Sequence, residues 1–536
     1  QIVGRDSTVI RANELINTSQ IGREGYGITQ IETTGRLVNA SIGNIVAKIT
    51  GSEVYVDGKG GVHNIGAGIR GSESTQVLSE NGKVLNESTI SSETVYRNVR
   101  NKGLMSKIMG INGGQEVESI TESIRNIGEI SGNGTVYVEG REVENIGANI
   151  HGKEGTYINS TEKDITDKSI TLNYKGNNVV EKTVEKREVV DWEEYRRSPE
   201  KYKSIIFRNL PKKVEDVEVY TKWDVLERSR EQSGIIGENG NTILISNRDI
   251  VLTSSDIRAD ENIVLNAKNY LLMLSSADTE YKYRTETHRS GRIRRRTTTN
   301  TWIEDNVYAN GVDLTTAGNI LLNYHGVDKA ADNKGVFAQG VNFNAGGEIY
   351  GLSDGNIYIQ GVKDKLNSIF NSHTKKSFAG IRYGSSSSYI NDSRERYRHS
   401  RLYGEAGIDV GADGKLKVEG VDVQSSGNVF LRGKLGTEVL HGIEESTRYE
   451  EHKKSGLTGS FGISWSGVSA GIGYGRSRST LRDERKDVVH NLFNVGGNVV
   501  LESSEGNVDL GPMLGNIGGK LILTGKDINI LDAISE

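Results

Sequence analysis

The sequence predicts an all-β fold, a right-handed parallel β-helix with protruding β-hairpin excursions, and three observations carry that prediction. A turn-and-strand phrase recurs through the C-terminal half, a longer unit of 81 to 82 residues is repeated in the N-terminal part, and the composition suits a thin core. Of 536 residues only 35% are apolar and 6% aromatic, while glycine supplies 66 positions and proline three. An ordinary globular interior needs more apolar side chains than this. A column of aliphatic residues renewed at every turn of a coil does not.

The phrase is glycine, a polar residue that is usually asparagine, then apolar, any, apolar. It reads Gly240-Asn241-Thr242-Ile243-Leu244-Ile245, Gly318-Asn319-Ile320-Leu321-Leu322, Gly355-Asn356-Ile357-Tyr358-Ile359, Gly427-Asn428-Val429-Phe430-Leu431, Gly497-Asn498-Val499-Val500-Leu501 and Gly506-Asn507-Val508-Asp509-Leu510, and loosely Gly519-Lys520-Leu521-Ile522-Leu523. Each copy is a turn followed by a short strand with every second side chain inward. Glycine and asparagine suit such turns because they tolerate positive φ. Further strands lie between the copies, as in Ile250-Val251-Leu252 and Ile263-Val264-Leu265, and a unit recurring this often marks a solenoid.

In the N-terminal part, Val54-Tyr55-Val56 is echoed by Val136-Tyr137-Val138, and Asn64-Ile65-Gly66-Ala67 by Asn145-Ile146-Gly147-Ala148. The offsets are 82 (54 to 136) and 81 (64 to 145), as if several coils had duplicated together. With roughly 350 residues in coils of about 20, stacked about 4.8 Å apart, the shaft would have on the order of 17 coils and a length of about 80 Å.

Four charged, aromatic stretches break the rhythm, and these read as hairpins or ribbons leaving the shaft. The expected layout is coils over 1–159, a ribbon-like excursion over 160–232, and a second coil region over 233–536 with excursions at 279–304, 363–403 and 444–490. In the first excursion, 184–192 and 214–225 would be the arms, with 195–211 between them as a candidate helix. Two excursions share a phrase, His373-Thr374-Lys375-Lys376-Ser377 and His452-Lys453-Lys454-Ser455.

These features resemble the second haemagglutinin-repeat region of filamentous-haemagglutinin-like exoproteins, which includes contact-dependent growth inhibition effectors. The resemblance rests on 233–241 (Ser-Gly-Ile-Ile-Gly-Glu-Asn-Gly-Asn), on Ser255-Asp256-Ile257-Arg258-Ala259, on the glycine-asparagine strands, and on Lys454-Ser455-Gly456-Leu457-Thr458-Gly459. It covers 233–532 well and the earlier part more loosely. The resemblance implies two-partner secretion through an outer-membrane β-barrel transporter and display as a filament on a Gram-negative cell. It further implies presentation or delivery of a C-terminal toxin to neighbouring bacteria, with a target-cell outer membrane or receptor as partner. The alternative it leaves open is an adhesin stalk.

Two kinds of candidate contact emerge from the excursions. Arg292, Arg294, Arg295 and Arg296, and in a second cluster Arg394, Arg396 and Arg398, concentrate positive charge that would meet phosphates or other anions. The competing reading is a solvated hairpin neutralised by nearby Asp and Glu. Phe461, Ile463 and Trp465, then Ile472 and Tyr474, alternate about a turn at Ser466-Gly467, giving a hairpin with one apolar face for a membrane, a partner or the shaft itself.

The net charge of −5 is small for the length, so no whole-molecule field favours nucleic acid, and none is expected as a partner. The absence of cysteine excludes disulfides and thiolate chemistry. The first residue is glutamine with no leader pattern after it, which reads as a processed or excised piece. Gly66-Ala67-Gly68-Ile69-Arg70-Gly71 matches a dinucleotide fingerprint, but no amphipathic helix follows, so a solenoid turn is the better reading. No metalloprotease, serine-hydrolase or P-loop motif is present, and no cofactor, metal or small-molecule ligand is expected. A polysaccharide lyase remains a remote alternative through Asp249, Asp256, Asp260 and Glu261. The expectation is a structural and interaction module, not an enzyme.

Overall fold

In the computed structural model the apolar phrases become rungs of one parallel sheet of 37 strands. The structure describes residues 1–98, 115–190, 212–231, 233–290, 294–323, 333–378, 381–464 and 467–532. Among these there is no helix. The candidate helix over 195–211 lies outside the described residues.

Each coil lays down three short strands, so the shaft has three faces. On face one the inward side chains stack in register as Ile31, Val56, Val77, Val138 and Ile158, continuing through Leu244, Leu265 and Leu322 to Val410, Leu431 and Leu501. Face three carries seven isoleucines in one ladder, Ile21, Ile49, Ile69, Ile130, Ile150, Ile235 and Ile257. All are buried, which is how a chain poor in apolar residues still builds a dry interior. Following face one from Ser7–Ala12 to Leu521–Thr524 gives fourteen rungs among the described residues. At about 4.8 Å per rung the shaft is about 60 Å long. This is shorter than the 17 coils and 80 Å expected, because the excursions take more of the chain.

Face two holds a polar ladder in its first six coils. Asn17, Asn39, Asn64, Asn86 and Asn145 are buried, and each side-chain amide donates to the next side-chain oxygen at 2.7 to 2.8 Å, ending on Asp167. The ladder stops there because the next residue in register is Leu252.

The glycine-asparagine turns work differently from the sequence expectation. None of these asparagines or glycines has positive φ. Instead Asn262 Nδ2 and Asn319 Nδ2 each donate to the asparagine of the preceding coil, Asn241 and Asn262, at 3.0 Å, and Asn356, Asn428 and Asn498 accept a backbone N–H of the next coil at 2.8 Å. Glycine is required for close approach: a Cβ at Gly318 would overlap the carbonyl oxygen of Glu261.

Five hairpins leave the shaft, all from the corner between faces two and three. They are β1 (Thr89–Asn98) and β2 (Gln115–Asn126), β3 (Ile170–Val190) and β4 (Lys212–Glu231), β5 (Ser276–Ser290) and β6 (Arg294–Asn310), β7 (Val362–Phe378) and β8 (Ile381–Arg398), and β9 (Gly442–Ser464) and β10 (Gly467–Val489). The first falls in a stretch read from sequence as coils. They follow coils 4, 6, 8, 10 and 12. The intervening coils turn the same corner tightly, through a single residue of positive φ: Gly66 (53°), Gly147 (53°), Ser254 (48°), Gly340 (65°) and Gly420 (57°).

This alternation explains why the hairpins do not stand apart. A hairpin is two strands wide, about 9.6 Å, and two coils advance by the same distance along the axis. Successive hairpins therefore meet edge to edge and join into one ten-stranded antiparallel sheet, in order β10-β9-β8-β7-β6-β5-β4-β3-β2-β1. Contacts among the last four hairpins are long: β6 pairs with β7 from Arg294↔Phe378 to Val307↔Lys365, and β8 with β9 from Gly384↔Gly456 to Arg394↔Ser446, whereas β2 meets β3 only from Ser119↔Gly176 to Thr121↔Tyr174. The result is a lateral sheet standing on one edge of the shaft.

Candidate functional site

The lateral sheet is a single layer with both faces toward solvent, so most residues of β5, of either parity, are half-buried by their strand neighbours alone. Cross-strand pairs hold it. Trp302 meets Phe370 at 5.5 Å with Arg284 over the indole, Tyr389 meets Tyr449 edge-on at 6.0 Å, and hydroxyl pairs link Thr285 to Thr301 and Thr298 to Thr374. At its root the Tyr397 ring presses on Gly361, Gly420 and Gly442, and its hydroxyl donates to the Glu419 carbonyl.

Charge is segregated along the projection of β5 to β10, whereas the outer parts of β3 and β4 mix both signs. In its outer half from β5 to β10, covering 285–290, 294–300, 372–378, 381–388, 452–456 and 475–479, there are eleven lysines and arginines and one carboxylate, Glu286. In the inner half of the same strands, eleven cations face fourteen carboxylates. Register assigns the outer cations to both faces. Arg289, Lys375 and Arg476 lie in one row across one face, with Lys453 and Arg478 in the adjacent row of that face, while Lys376 and Lys454 lie on the opposite face.

Carboxylates reach only part of this band. Lys453 and Arg478 share Glu451, whose carboxyl they hold below its usual range, and Glu286 contacts Arg284 and His288. Arg295, Arg296, Lys375, Lys376, Arg382, Lys454 and Arg476 make no ion pair among the described residues. His373 is held below its ordinary value by burial and by Lys375 and Arg382. Between the cations the floor is serine and glycine, which leaves two shallow troughs of about 410 and 400 Å³, lined by Lys376, Gly384, Ser386, Lys454 and Ser477 in one and Ser372, Ser388, His452 and Ser479 in the other.

The two arginine clusters picked out in the sequence are not brought together. Arg294 opens β6 at the outer edge, followed by the exposed Arg295 and Arg296, and Arg292 lies outside the described residues. Arg394, Arg396 and Arg398 lie at the root of β8. Arg294 pairs with Phe378 and Arg394 with Leu366, a separation of twelve residues along β7, or about 40 Å. The root cluster is partly neutralised: Arg394 binds Asp392 at 3.0 Å, and Arg398 lies 3.8 Å from the buried Asp364. Lys375, Lys376, Arg382, Lys453, Lys454, Arg476 and Arg478 were missed as site residues, although the repeated lysine-lysine-serine phrase was the signal for four of them.

Of the apolar hairpin, the backbone of β9 and β10 pairs Phe461 with Ala470, Ile463 with Val468, Gly459 with Ile472 and Leu457 with Tyr474. Trp465 lies outside the described residues. Leu457 is 55% exposed and Tyr474 69%, and at neighbouring tips Phe378 is 50% exposed.

Residues 221–363 match the family model of the hemagglutinin repeat. They run from within β4 through coils 6 to 10 to the start of β7, and so include a complete hairpin, β5/β6. No curated protein and no solved structure matches the chain. The hemagglutinin repeat supports a filamentous-haemagglutinin-like shaft of a secreted exoprotein, a structural and adhesive family. Proteins of that family are surface exoproteins of Gram-negative bacteria.

Proposed function

We propose that this chain is a shaft segment that presents a C-terminal effector to neighbouring bacteria, as in contact-dependent growth inhibition, with the lateral sheet as its contact surface. The observation that carries the reading is the joining of five hairpins into one sheet along a single side of the shaft, with an excess of cations at the outer end of β5 to β10. A plain spacer needs only coils. The hairpins use much of the chain to build a surface that contributes little to the aliphatic core, which favours a role in contact.

Export would use a dedicated outer-membrane β-barrel transporter, the partner implied by the haemagglutinin-like family. The second reading is an adhesin stalk using the same sheet, favoured by the adhesive character of the family. Both are tested on the full-length surface protein with each hairpin cut back to a tight glycine corner like Gly340. The expected result is a shaft still exported and protease-accessible on the cell, but without inhibition of co-cultured neighbours. Undiminished inhibition would refute the role given to the sheet. Adhesion lost with no inhibition in the parent would select the stalk.

A further inference from the structure

We propose that face one of the shaft is a dimer interface, on which a second copy of this chain packs in parallel about a two-fold axis running along the shaft. This goes beyond the reading of the lateral sheet as a contact surface and does not depend on it. Face one lies across the shaft from the corner that the hairpins leave, so it is free of them.

The outward side of face one has the composition of a covered surface. Each strand there sends two side chains away from the core, and these stack from coil to coil as two columns. The first column runs through Tyr137, Tyr157, Ile243, Val264, Leu321 and Tyr350 in six consecutive coils. From Tyr55 to Val500 it has eleven residues and a single charge, Asp409. The glycine phrases on this face all place an apolar residue in the column: Ile243, Leu321, Phe430, Val500 and Ile522. Strands that are apolar on both sides are the pattern of a parallel sheet covered on both faces. The outward column of face three is polar by contrast, with Arg70, His151, Arg258 and Asn344 in it. Rung neighbours shield part of the apolar column, yet Ile245, beside it in the second column, is 43% exposed.

Three features fit a second copy to this surface. A column renewed about every 4.8 Å over eleven coils is matched rung for rung by a shaft of the same repeat. Those coils span about 53 Å, and strands of five residues are about 17 Å long, which gives each copy about 900 Å² of footprint. Stable interfaces use about 800 Å² on each partner.

The third feature is the placing of charge. The second column holds Asp57, Glu139, Arg432 and Glu502. A two-fold axis along the shaft sets each coil against the same coil of the other copy and reverses the strand direction. The first column of each copy therefore lies on the second column of the other, and no like charges meet. Asp57 faces Tyr55 and Glu139 faces Tyr137 across the axis, where a phenol hydroxyl suits a carboxylate, as the bond from Tyr137 to Glu139 within one chain already illustrates. Arg432 faces Phe430, a cation over an aromatic ring. At the centre Ile243 lies on Ile245 and Tyr350 on Leu352, an apolar middle within a polar rim. The two lateral sheets then point away from each other, one on each side of the pair.

The test is sedimentation equilibrium of the purified chain. The parent is expected to have twice the mass of the chain at micromolar concentration. I243K/I245K gathers four lysines on one coil of the pair and should weaken the dimer by more than about a hundred-fold, as like charges set against each other in an interface do. I243E/I245E should weaken it in the same way. An equimolar mixture of the two variants should associate again, because each lysine then lies on a glutamate, and that recovery also shows both variants to be folded. T315K/N344K on face three should leave the dimer intact. Because the chain has no cysteine, I243C/I245C should cross-link the two copies on mild oxidation, as contact between identical coils requires. A parent that stays monomeric, a dimer indifferent to I243K/I245K, a mixture no more associated than its components, or equal loss in the face-three variant would overturn the proposal.

Discussion

Asp167 ends a ladder of amides with the one side chain in it that can ionise, and that makes the shaft's stability depend on pH. Its carboxyl is fully buried; Oδ1 accepts from Asn145, and Oδ2 has no hydrogen-bond partner. Burial pushes the group up from 3.8 to about 6, against the opposing pull of the Asn145 amide and the nearby Ser233 and Ser255 hydroxyls. Because the folded state holds this proton more tightly than the unfolded chain does, the contribution is largest below pH 4. It declines as pH rises between about 4 and 6, and is gone above that. A shift of about two units corresponds to about 3 kcal/mol. Asp167→Asn keeps the acceptor for Asn145 and offers an N–H toward Ser233, whose hydroxyl is buried without a partner. The variant should match the parent near pH 4 and exceed it by up to about 3 kcal/mol at pH 7. Urea unfolding of both proteins at the two pH values measures this as a difference of differences, in which the other carboxylates cancel. The same pH dependence in both proteins would refute the argument that this buried carboxyl is the cause.

Other substitutions test packing and the corner rule. Gly351 stands in the aliphatic ladder between Leu322 and Val410, beside a small apolar void, and a Cβ there would lie 3.6 Å from Leu322 and 3.9 Å from Val410. Gly351→Ala should therefore stabilise by about 0.5 to 1 kcal/mol, read as a higher urea midpoint. Asn64→Ala should cost about 1 to 3 kcal/mol for each neighbouring amide left unsatisfied, read in the same way. Gly147 has positive φ, and a Cβ on it would overlap Ile170 at the root of β3. Gly147→Ala should cost at least 1 to 2 kcal/mol for the backbone alone and speed amide exchange at that root.

The sequence made the coils legible because inward aliphatic residues alternate at a short period and the glycine-asparagine phrase marks where each strand begins. Its account of that phrase was wrong in mechanism: Gly318 avoids a carbonyl of the coil below, and Asn319 accepts from the coil above, neither at positive φ. The excursions from Ser276, Val362 and Gly442 stood out through their tyrosines and charge. The one from Thr89 did not, since Thr89, Ser91, Ser92 and Thr94 resemble coil residues. That the hairpins form one sheet was not legible at all. Their mutual register depends on leaving the same corner at alternate coils, and the corner residues, Gly66, Gly147, Ser254, Gly340 and Gly420, look like any turn. For the same reason the two arginine clusters looked alike in sequence, while register places one at the outer edge and the other at the root.

The match between hairpin width and two-coil advance restricts how such a protein can change length. Adding one coil would open a gap about 4.8 Å wide between adjacent hairpins and cut the lateral sheet in two. Only a whole unit of two coils with its hairpin can enter or leave without a seam. The tandem copies around Val54 and Val136 are offset by such a unit, so a molecule built this way should grow by steps of that size, each gain in reach bringing a further strip of contact surface with it.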